Sequence, residues 1–181
     1  MTVHRRPARR PALCLLAVLA ALALAPAAAG AADGVTAGSA SGLPVPRFVS
    51  LKSDRVNLRE GPSKDHRTTW VFQRAGLPVE VTAEFETWRR IRDSDGAEGW
   101  VLHSLLSGRR TALVAPWEKA GTLPLSAKPD SRADVVAQLQ PGVLASIKAC
   151  TGKWCRLAGQ GFDGWLPQDR LWGAYPTEKL D

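Results

Sequence analysis

The residues of this 181-residue chain that could perform chemistry are few, and Cys150 and Cys155 are the most informative of them. They flank a Thr-Gly-Lys-Trp segment typical of a β-hairpin, which would place them on opposite strands. Directly opposed strand residues lie about 4.5–5.5 Å apart at Cα, within the range that a disulfide bridges. The sequence therefore predicts a disulfide. A redox or metal role is the alternative, which C-x4-C spacing without a nearby histidine does not favour.

Sequence patterns that mark well-known catalytic sites do not occur in the chain. It has no nucleophile elbow, phosphate-binding loop, HExxH motif or pair of carboxylates at catalytic spacing. His66 and His103 have no companions at ligand spacing, and we interpret both as surface residues. We therefore predict a protein that is not an enzyme and that uses no cofactor and no metal. A hydrolase would need a polar cleft with a base, which the sequence does not reveal.

Residues 1–32 have the composition of a secretory signal peptide. Four arginines without any acid precede an apolar run over residues 13–25, and an Ala/Gly-rich stretch follows. The run is shorter than the roughly 20 residues that a transmembrane helix needs. Cleavage after Ala29, Ala31 or Ala32 fits equally well, and Sec export fits better than twin-arginine export. We predict a mature protein in the periplasm or outside the cell, without a membrane span.

Removal of the signal peptide changes the charge balance and exposes a short linker. The formal net charge falls from +7 to about +3, because the removed segment holds four arginines and no acid. A nucleic-acid-binding protein needs a basic stripe on a folded face, so we predict no nucleic-acid partner. Residues 33–46 are small and rich in Gly and Pro, which predicts a flexible linker.

The rest of the chain contains an internal repeat of short β-type segments. Four landmarks recur in the same order at offsets of 65 to 67 residues, and they pair Pro62 with Pro129, Gly76 with Gly142, Trp88 with Trp154, and Gly99-Trp100 with Gly164-Trp165. Each copy has about 60 residues, with strands of four to seven residues between turns. Such a unit predicts an all-β fold with one small β-barrel per copy.

Each copy contains a predicted hairpin whose second strand begins at, or one residue before, the repeated tryptophan. In the first copy, residues 77–83 and 87–92 alternate as the two strands, and Glu84 and Arg89 occupy the places that Cys150 and Cys155 take in the second. We predict a cross-strand ion pair between them, stabilising by a few tenths of a kcal/mol. Residues 133–139 hold the best helix candidate, but their Val-Val centre and Pro141 favour a strand.

These landmarks resemble the bacterial SH3-like domain family. The first copy carries nearly the whole family pattern, namely Val56-Asn57-Leu58-Arg59-Glu60-Gly61-Pro62-Ser63, Gly76, Val79, Val81, Trp88, Ile91, Gly96, Gly99-Trp100-Val101 and Leu106. The second copy keeps Gly142, Trp154, Leu157, Gly161, Gly164-Trp165-Leu166 and Leu171, but it opens with Leu123-Pro124-Leu125-Ser126 and lacks the Asn and the Arg.

The resemblance implies two tandem SH3-like β-barrels, which we place at residues 47–108 and 109–175, with a C-terminal tail over 176–181. Members of the family are usually binding or targeting modules, often of the cell envelope, that recognise peptidoglycan or peptides. We therefore expect a non-catalytic envelope binding module. The alternative is a structural or assembly protein whose packed barrels contact another envelope protein.

Aromatic and polar residues of the first copy are the candidate ligand-binding residues. Trp88 begins a strand beside a hairpin turn, where a half-exposed indole can hold a peptide or stack on a sugar, and Trp154 has the same place in copy two. Trp70 is a candidate surface contact or a lid over a barrel end. Asn57, Arg59 and Glu60 form either a turn held by side-chain hydrogen bonds or a polar edge that recognises a carboxylate or peptide. We expect Trp100 and Trp165 to be core residues.

Overall fold

The computed structural model describes residues 34–181, which form one compact unit. The predicted signal peptide, residues 1–32, and its candidate cleavage sites lie outside the described residues. Over residues 34–181, no helix is long and apolar enough to cross a membrane.

The first domain is a seven-stranded antiparallel sheet preceded by a short hairpin. The hairpin strands are β1 (Thr36–Ala37) and β2 (Pro44–Val45). The sheet consists of β3 (Arg47–Leu51), β4 (Val56–Arg59), β5 (Thr68–Phe72), β6 (Pro78–Phe85), β7 (Trp88–Arg92), β8 (Glu98–Leu102) and β9 (Leu106–Ser107). A 3₁₀ turn, His103–Leu105, separates the last two strands. The strands lie in the order β5-β4-β8-β7-β6-β3-β9.

The second domain repeats this arrangement strand for strand. Its strands are β10 (Thr111–Val114), β11 (Leu123–Ser126), β12 (Val135–Leu139), β13 (Leu144–Thr151), β14 (Trp154–Gly159), β15 (Phe162–Pro167), β16 (Leu171–Trp172) and β17 (Lys179–Leu180). A 3₁₀ turn, Gln168–Arg170, precedes β16 as His103–Leu105 precedes β9, and β17 is an eighth strand without a counterpart in the first sheet. The order β12-β11-β15-β14-β13-β10-β16 matches the first sheet position by position, which confirms the repeat, and β12 confirms the strand predicted over residues 133–139.

Each sheet wraps one apolar core but does not close into a barrel. Leu51, Val79 and Ile91 are among the buried residues of the first core, and Leu125 and Leu157 among those of the second. Strands β9 and β16 are only two residues long and pair with β3 and β10, so neither reaches the opposite edge strand, β5 or β12. The all-β fold with two tandem domains is confirmed. Neither sheet, however, forms the small β-barrel that the sequence predicted.

The repeated Gly-Trp pairs show why the predicted core position of their tryptophans was wrong. A Cβ on Gly99 would lie 2.7 Å from Leu58 Cγ and 2.8 Å from the Arg59 carbonyl oxygen, and Gly164 meets Leu125 and Ser126 in the same way. The glycine therefore faces the core, where only a residue without a side chain fits. Because alternate strand residues face opposite sides, Trp100 and Trp165 point away from the core and are half-buried.

Two terminal segments are more ordered than expected. Residues predicted to form a flexible linker instead form the β1–β2 hairpin, and its turn donates two backbone hydrogen bonds to Glu84, from Ala40 at 3.0 Å and Ser41 at 2.8 Å. At the other end, part of the predicted C-terminal tail is the strand β17, which pairs with the end of β13. The sequence of each segment is too short and too irregular to show a strand by itself.

The two domains pack against each other through an aromatic cluster. Phe48 of the first domain meets Trp172 edge to face, with centroids 5.1 Å apart, and Tyr175 at 4.7 Å. The Trp172 indole N–H donates to the Pro78 carbonyl oxygen at 3.1 Å, and the Tyr175 hydroxyl donates to the buried Glu80 carboxylate at 2.8 Å. Burial and this carboxylate raise the pKa of Tyr175 well above its usual range. The tandem domains are therefore one packed unit and not two tethered ones.

Candidate functional site

A groove on the outer face of the first sheet brings three of the predicted site residues together. Asn57 and Arg59 project from β4, and Trp88 forms part of the wall at the start of β7, where it pairs with Leu102 of β8. The groove has a volume of about 270 Å³. We call it the Trp88 groove, and its lining residues are Arg55, Asn57, Arg59, Lys64, Trp88, Leu102 and Leu105.

Trp88 is more deeply placed than the sequence suggested. Its relative exposure is 7%, so the expected half-exposed rim position was wrong. Trp88 lies on the face of β7 opposite to the core residue Ile91, and Leu102 and Leu105 line the groove beside it. The indole is thus an apolar wall that a ligand would touch from one side only.

The loop that follows β4 is held in place by Arg59. Its Nη1 donates to the carbonyl oxygens of Lys64 at 3.0 Å and His66 at 2.7 Å, and the Ser63 hydroxyl accepts from the Asp65 backbone N–H at 3.0 Å. Side-chain hydrogen bonds from Arg59 and to Ser63 therefore hold this loop, whereas the Asn57 side chain does not contribute to it. Within residues 34–181 the Asn57 side chain has no hydrogen-bond partner, and it lines the groove instead.

The other two predicted site residues lie elsewhere. Glu60 pairs with Arg67, whose Nε donates to its carboxylate at 3.0 Å, and this hydrogen bond lowers the pKa of Glu60. Trp70 is 59% exposed on the edge strand β5. It borders a separate cleft of about 710 Å³, which also includes Leu113 of the second domain. Neither residue lines the Trp88 groove.

The second domain has a groove at the corresponding place, with a volume of about 430 Å³. We call it the Trp154 groove, and its lining residues are Glu118, Thr122, Leu123, Pro124, Ser126, Ser131, Trp154, Leu166, Pro167 and Arg170. Seven of these occupy the repeat positions of the seven residues that line the Trp88 groove. Because residue types differ at most of these positions, the repeat preserves the groove itself rather than its chemistry. Sequence reasoning missed this second site because the opening motif is absent there.

The β6–β7 hairpin of the first domain and the β13–β14 hairpin of the second are held together by different cross-strand interactions. Cys150 and Cys155 are bonded, with Cα atoms 4.1 Å apart, as predicted. The predicted Glu84–Arg89 ion pair is also present, with Arg89 Nε 3.1 Å from a Glu84 oxygen. The Glu84 side chain has no solvent exposure, so removing one partner would leave a buried charge unpaired and should cost more than the few tenths of a kcal/mol expected of an exposed pair.

The histidines and the possible metal ligands of residues 34–181 are scattered. His66 and His103 are both exposed, as predicted. In the part of the chain that the structure describes, no cluster of three or more His, Cys, Asp or Glu side chains could hold a metal ion.

Comparison with known proteins identifies the fold. The model of the bacterial SH3 domain family matches the chain twice, over residues 52–108 and 119–173. The chain belongs to the bacterial SH3 domain family. Domains of this family often act as binding modules and are generally non-catalytic.

Other similarities are weak. Two solved structures from Trichomonas vaginalis, NlpC2 and NlpC1, share 11% and 12% identity with the chain, each at a TM-score of 0.32. The matches cover 70% and 76% of this chain and 48% of each of those chains, so this bacterial SH3 protein spans about half of their length. No curated protein matches the chain significantly.

Proposed function

We propose that this chain is an exported, non-catalytic binding protein of the cell envelope, whose SH3 domains recognise peptidoglycan or peptides through the Trp88 and Trp154 grooves. The observation that supports it is the recurrence of one groove, with a tryptophan wall, at seven equivalent positions of two divergent sequences. Packing alone requires a buried core on the inner face of the sheet. It does not require an open groove on the outer face of both domains.

The chemistry of the grooves suits a short polar segment with small apolar parts. A tryptophan wall offers an apolar surface with an N–H at its edge, and Asn57 offers an amide with both donors and an acceptor. Volumes of about 270 and 430 Å³ are near the lower end of the usual range for ligand sites. One or two residues of a peptide, including the peptide part of peptidoglycan, are of this size.

A second candidate function, an assembly protein of the envelope, has one observation in its favour. The domains form one compact unit through Phe48, Trp172 and Tyr175, as an architectural element would. Trp70 and Trp117, which are 59% and 54% exposed, would then contact the partner protein instead of a small ligand.

Co-sedimentation of the mature chain, residues 33–181, with purified peptidoglycan sacculi tests the proposal. Asn57→Phe fills the Trp88 groove from β4, and Pro124→Phe fills the Trp154 groove at the equivalent position. Both residues lie on outward-facing strand positions that tolerate an aromatic side chain. Gln160→Phe, in the exposed turn between β14 and β15 and outside the lining of both grooves, controls for the added aromatic surface.

The two candidate functions give different results. Binding of wild type that falls in either groove variant, but not in Gln160→Phe, supports a groove-mediated envelope module. Binding that survives both groove variants would assign it to another surface. No binding of wild type at low and moderate salt would refute the peptidoglycan target and favour a search for protein partners.

A further inference from the structure

The Trp88 groove carries an uncompensated positive charge. Three of its seven lining residues are cations, Arg55, Arg59 and Lys64, and none is acidic. Asp54 and Asp65, which are next to Arg55 and Lys64 along the chain, form no ion pair within residues 34–181, and Glu60, which follows Arg59, is engaged by Arg67. Three cations that share a small groove raise the local positive potential, which attracts an anionic group and disfavours a cationic one.

The hydrogen-bond donors of this groove are also available. Over residues 34–181, neither the Arg55 side chain nor the Lys64 ammonium forms a hydrogen bond or an ion pair. Arg59 uses Nη1 for two carbonyl oxygens of the loop, and its Nε and Nη2 have no partner in the same region. Guanidinium, ammonium and amide donors around an apolar wall are the groups that bind a carboxylate.

The second domain shows that the fold itself does not require this charge. At the repeat positions of Arg55, Arg59 and Lys64, the Trp154 groove has Thr122, Ser126 and Ser131.

The charged groups of the Trp154 groove compensate each other. Arg170 is 2.6 Å from Glu118, and these are the only charged residues among the lining residues given above. The same groove is therefore cationic in one domain and neutral in the other.

We propose that the Trp88 groove selects a ligand through a carboxylate and that the Trp154 groove does not. This inference rests on the proposed function, because it assumes that the Trp88 groove is a binding site. Arg55, Lys64 and Asn57 donate to the carboxylate while the ligand backbone lies against Trp88. Arg59 positions Lys64 by holding the loop carbonyls and adds its own charge.

A carboxylate of this kind has two sources in a peptide, an acidic side chain and a free C-terminus. Three N-acetylated tripeptides separate them: amidated Ala-Glu-Ala, amidated Ala-Gln-Ala, and Ala-Gln-Ala with a free C-terminus. The readout is the ¹⁵N NMR shift of the Trp88 and Trp154 indole N–H signals of the mature chain. The variants are Arg55→Gln and Lys64→Gln, and Lys128→Gln, an exposed lysine outside both grooves, is the charge-matched control.

At least one carboxylate peptide should shift the Trp88 signal more than amidated Ala-Gln-Ala does, and the Trp154 signal should not discriminate between them. Arg55→Gln or Lys64→Gln should weaken this binding by roughly two- to five-fold, as expected of a partly exposed ion pair. Lys128→Gln should not. Raising the salt from about 0.01 M to about 1 M shortens the Debye length from roughly 30 Å to roughly 3 Å and should remove most of the preference.

Equal binding of all three peptides, or an equal response of the two indoles, would overturn the inference. Its failure can be distinguished from failure of the proposed function. Sacculi that bind through the grooves without any carboxylate preference would leave the function standing. A carboxylate preference in a protein that does not bind sacculi would support the inference and remove peptidoglycan as the target.

Discussion

Replacement of Glu84 by glutamine should destabilise the first domain strongly, because this one carboxylate joins three segments of the chain. One of its oxygens accepts from the backbone N–H groups of Ala40 and Ser41, at 3.0 and 2.8 Å. The other accepts from the Ser41 hydroxyl at 2.6 Å and Arg47 at 2.8 Å, and lies 3.1 Å from Arg89. In Glu84→Gln, the amide NH₂ would face at least one donor, and Arg47 and Arg89, whose side chains are 18% and 8% exposed, would lose their counter-charge.

The pKa of Glu84 sets the magnitude and the pH range of this effect. Burial of the side chain raises the pKa, but the hydrogen bonds from Ser41, Arg47 and Ala40 outweigh it and hold the value at about 2, against 4.5 for an unperturbed glutamate. A difference of about 2.5 units corresponds to about 3 kcal/mol at neutral pH. Because the folded-state pKa is the lower one, this stabilisation is complete well above pH 4.5. It is lost as the pH falls toward 2.

Urea unfolding of wild type and Glu84→Gln at a series of pH values between about 7 and 2 measures this effect. The difference in unfolding free energy should be about 3 kcal/mol near neutrality and should shrink toward zero at the acid end. Glu98→Gln is the control, because Glu98 forms an exposed pair with Arg90 at 2.6 Å, and its loss should cost less than about 1 kcal/mol. A Glu84→Gln effect as small as that of the control, or independent of pH, would refute the reasoning.

Three further predictions concern the stability of the folded chain. Replacing Cys150 and Cys155 by serine should lower the unfolding free energy by about 2 kcal/mol, measured by urea titration, and reductant should destabilise wild type but not this variant. Gly99→Ala should lower it by about 2 kcal/mol or more, because the new Cβ would lie 2.8 Å from a backbone oxygen; an unchanged melting temperature would contradict this. Tyr175→Phe removes the hydrogen bond to Glu80 and should cost about 2 kcal/mol in calorimetry, whereas a neutral result would mean that the buried carboxylate finds another donor.

The repeat was the part of the fold that could be predicted, because it depends on local signals. Glycines at sharp turns and alternating strands recur at nearly constant spacing. The disulfide followed from the short hairpin between Cys150 and Cys155, and the Glu84–Arg89 pair followed from matching the two hairpins. The same matching could have shown that Gly99 faces the core and that Trp100 must face outward. The terminal segments were not predictable, because the β1–β2 hairpin owes its order to Glu84, more than 40 positions away.

The candidate site was predicted in part, for a similar reason. Asn57 and Arg59 lie on β4 and Trp88 on β7, the two strands that flank β8, so a family pattern that contains all three residues also contains the walls of one groove. Arg55 and Lys64 were missed because they stand outside the repeated landmarks. The interface was missed because Phe48, Trp172 and Tyr175 match nothing in the other copy, although an unmatched tryptophan in a repeat is itself a signal of contact between copies.

This interface determines how two weak grooves can act on one ligand. A flexible connection between domains would let both grooves reach a polymer at many spacings and gain avidity. Here Trp172 and Tyr175 bind the first domain directly, and the Thr111 hydroxyl donates to the Gly76 carbonyl oxygen at 2.7 Å, so the spacing of the grooves is fixed. Since one groove is cationic and the other neutral, they are also not interchangeable. A ligand can occupy both grooves only if it carries an acidic group and an uncharged group at the distance that separates the two grooves. The packed pair of domains should therefore favour selectivity over avidity.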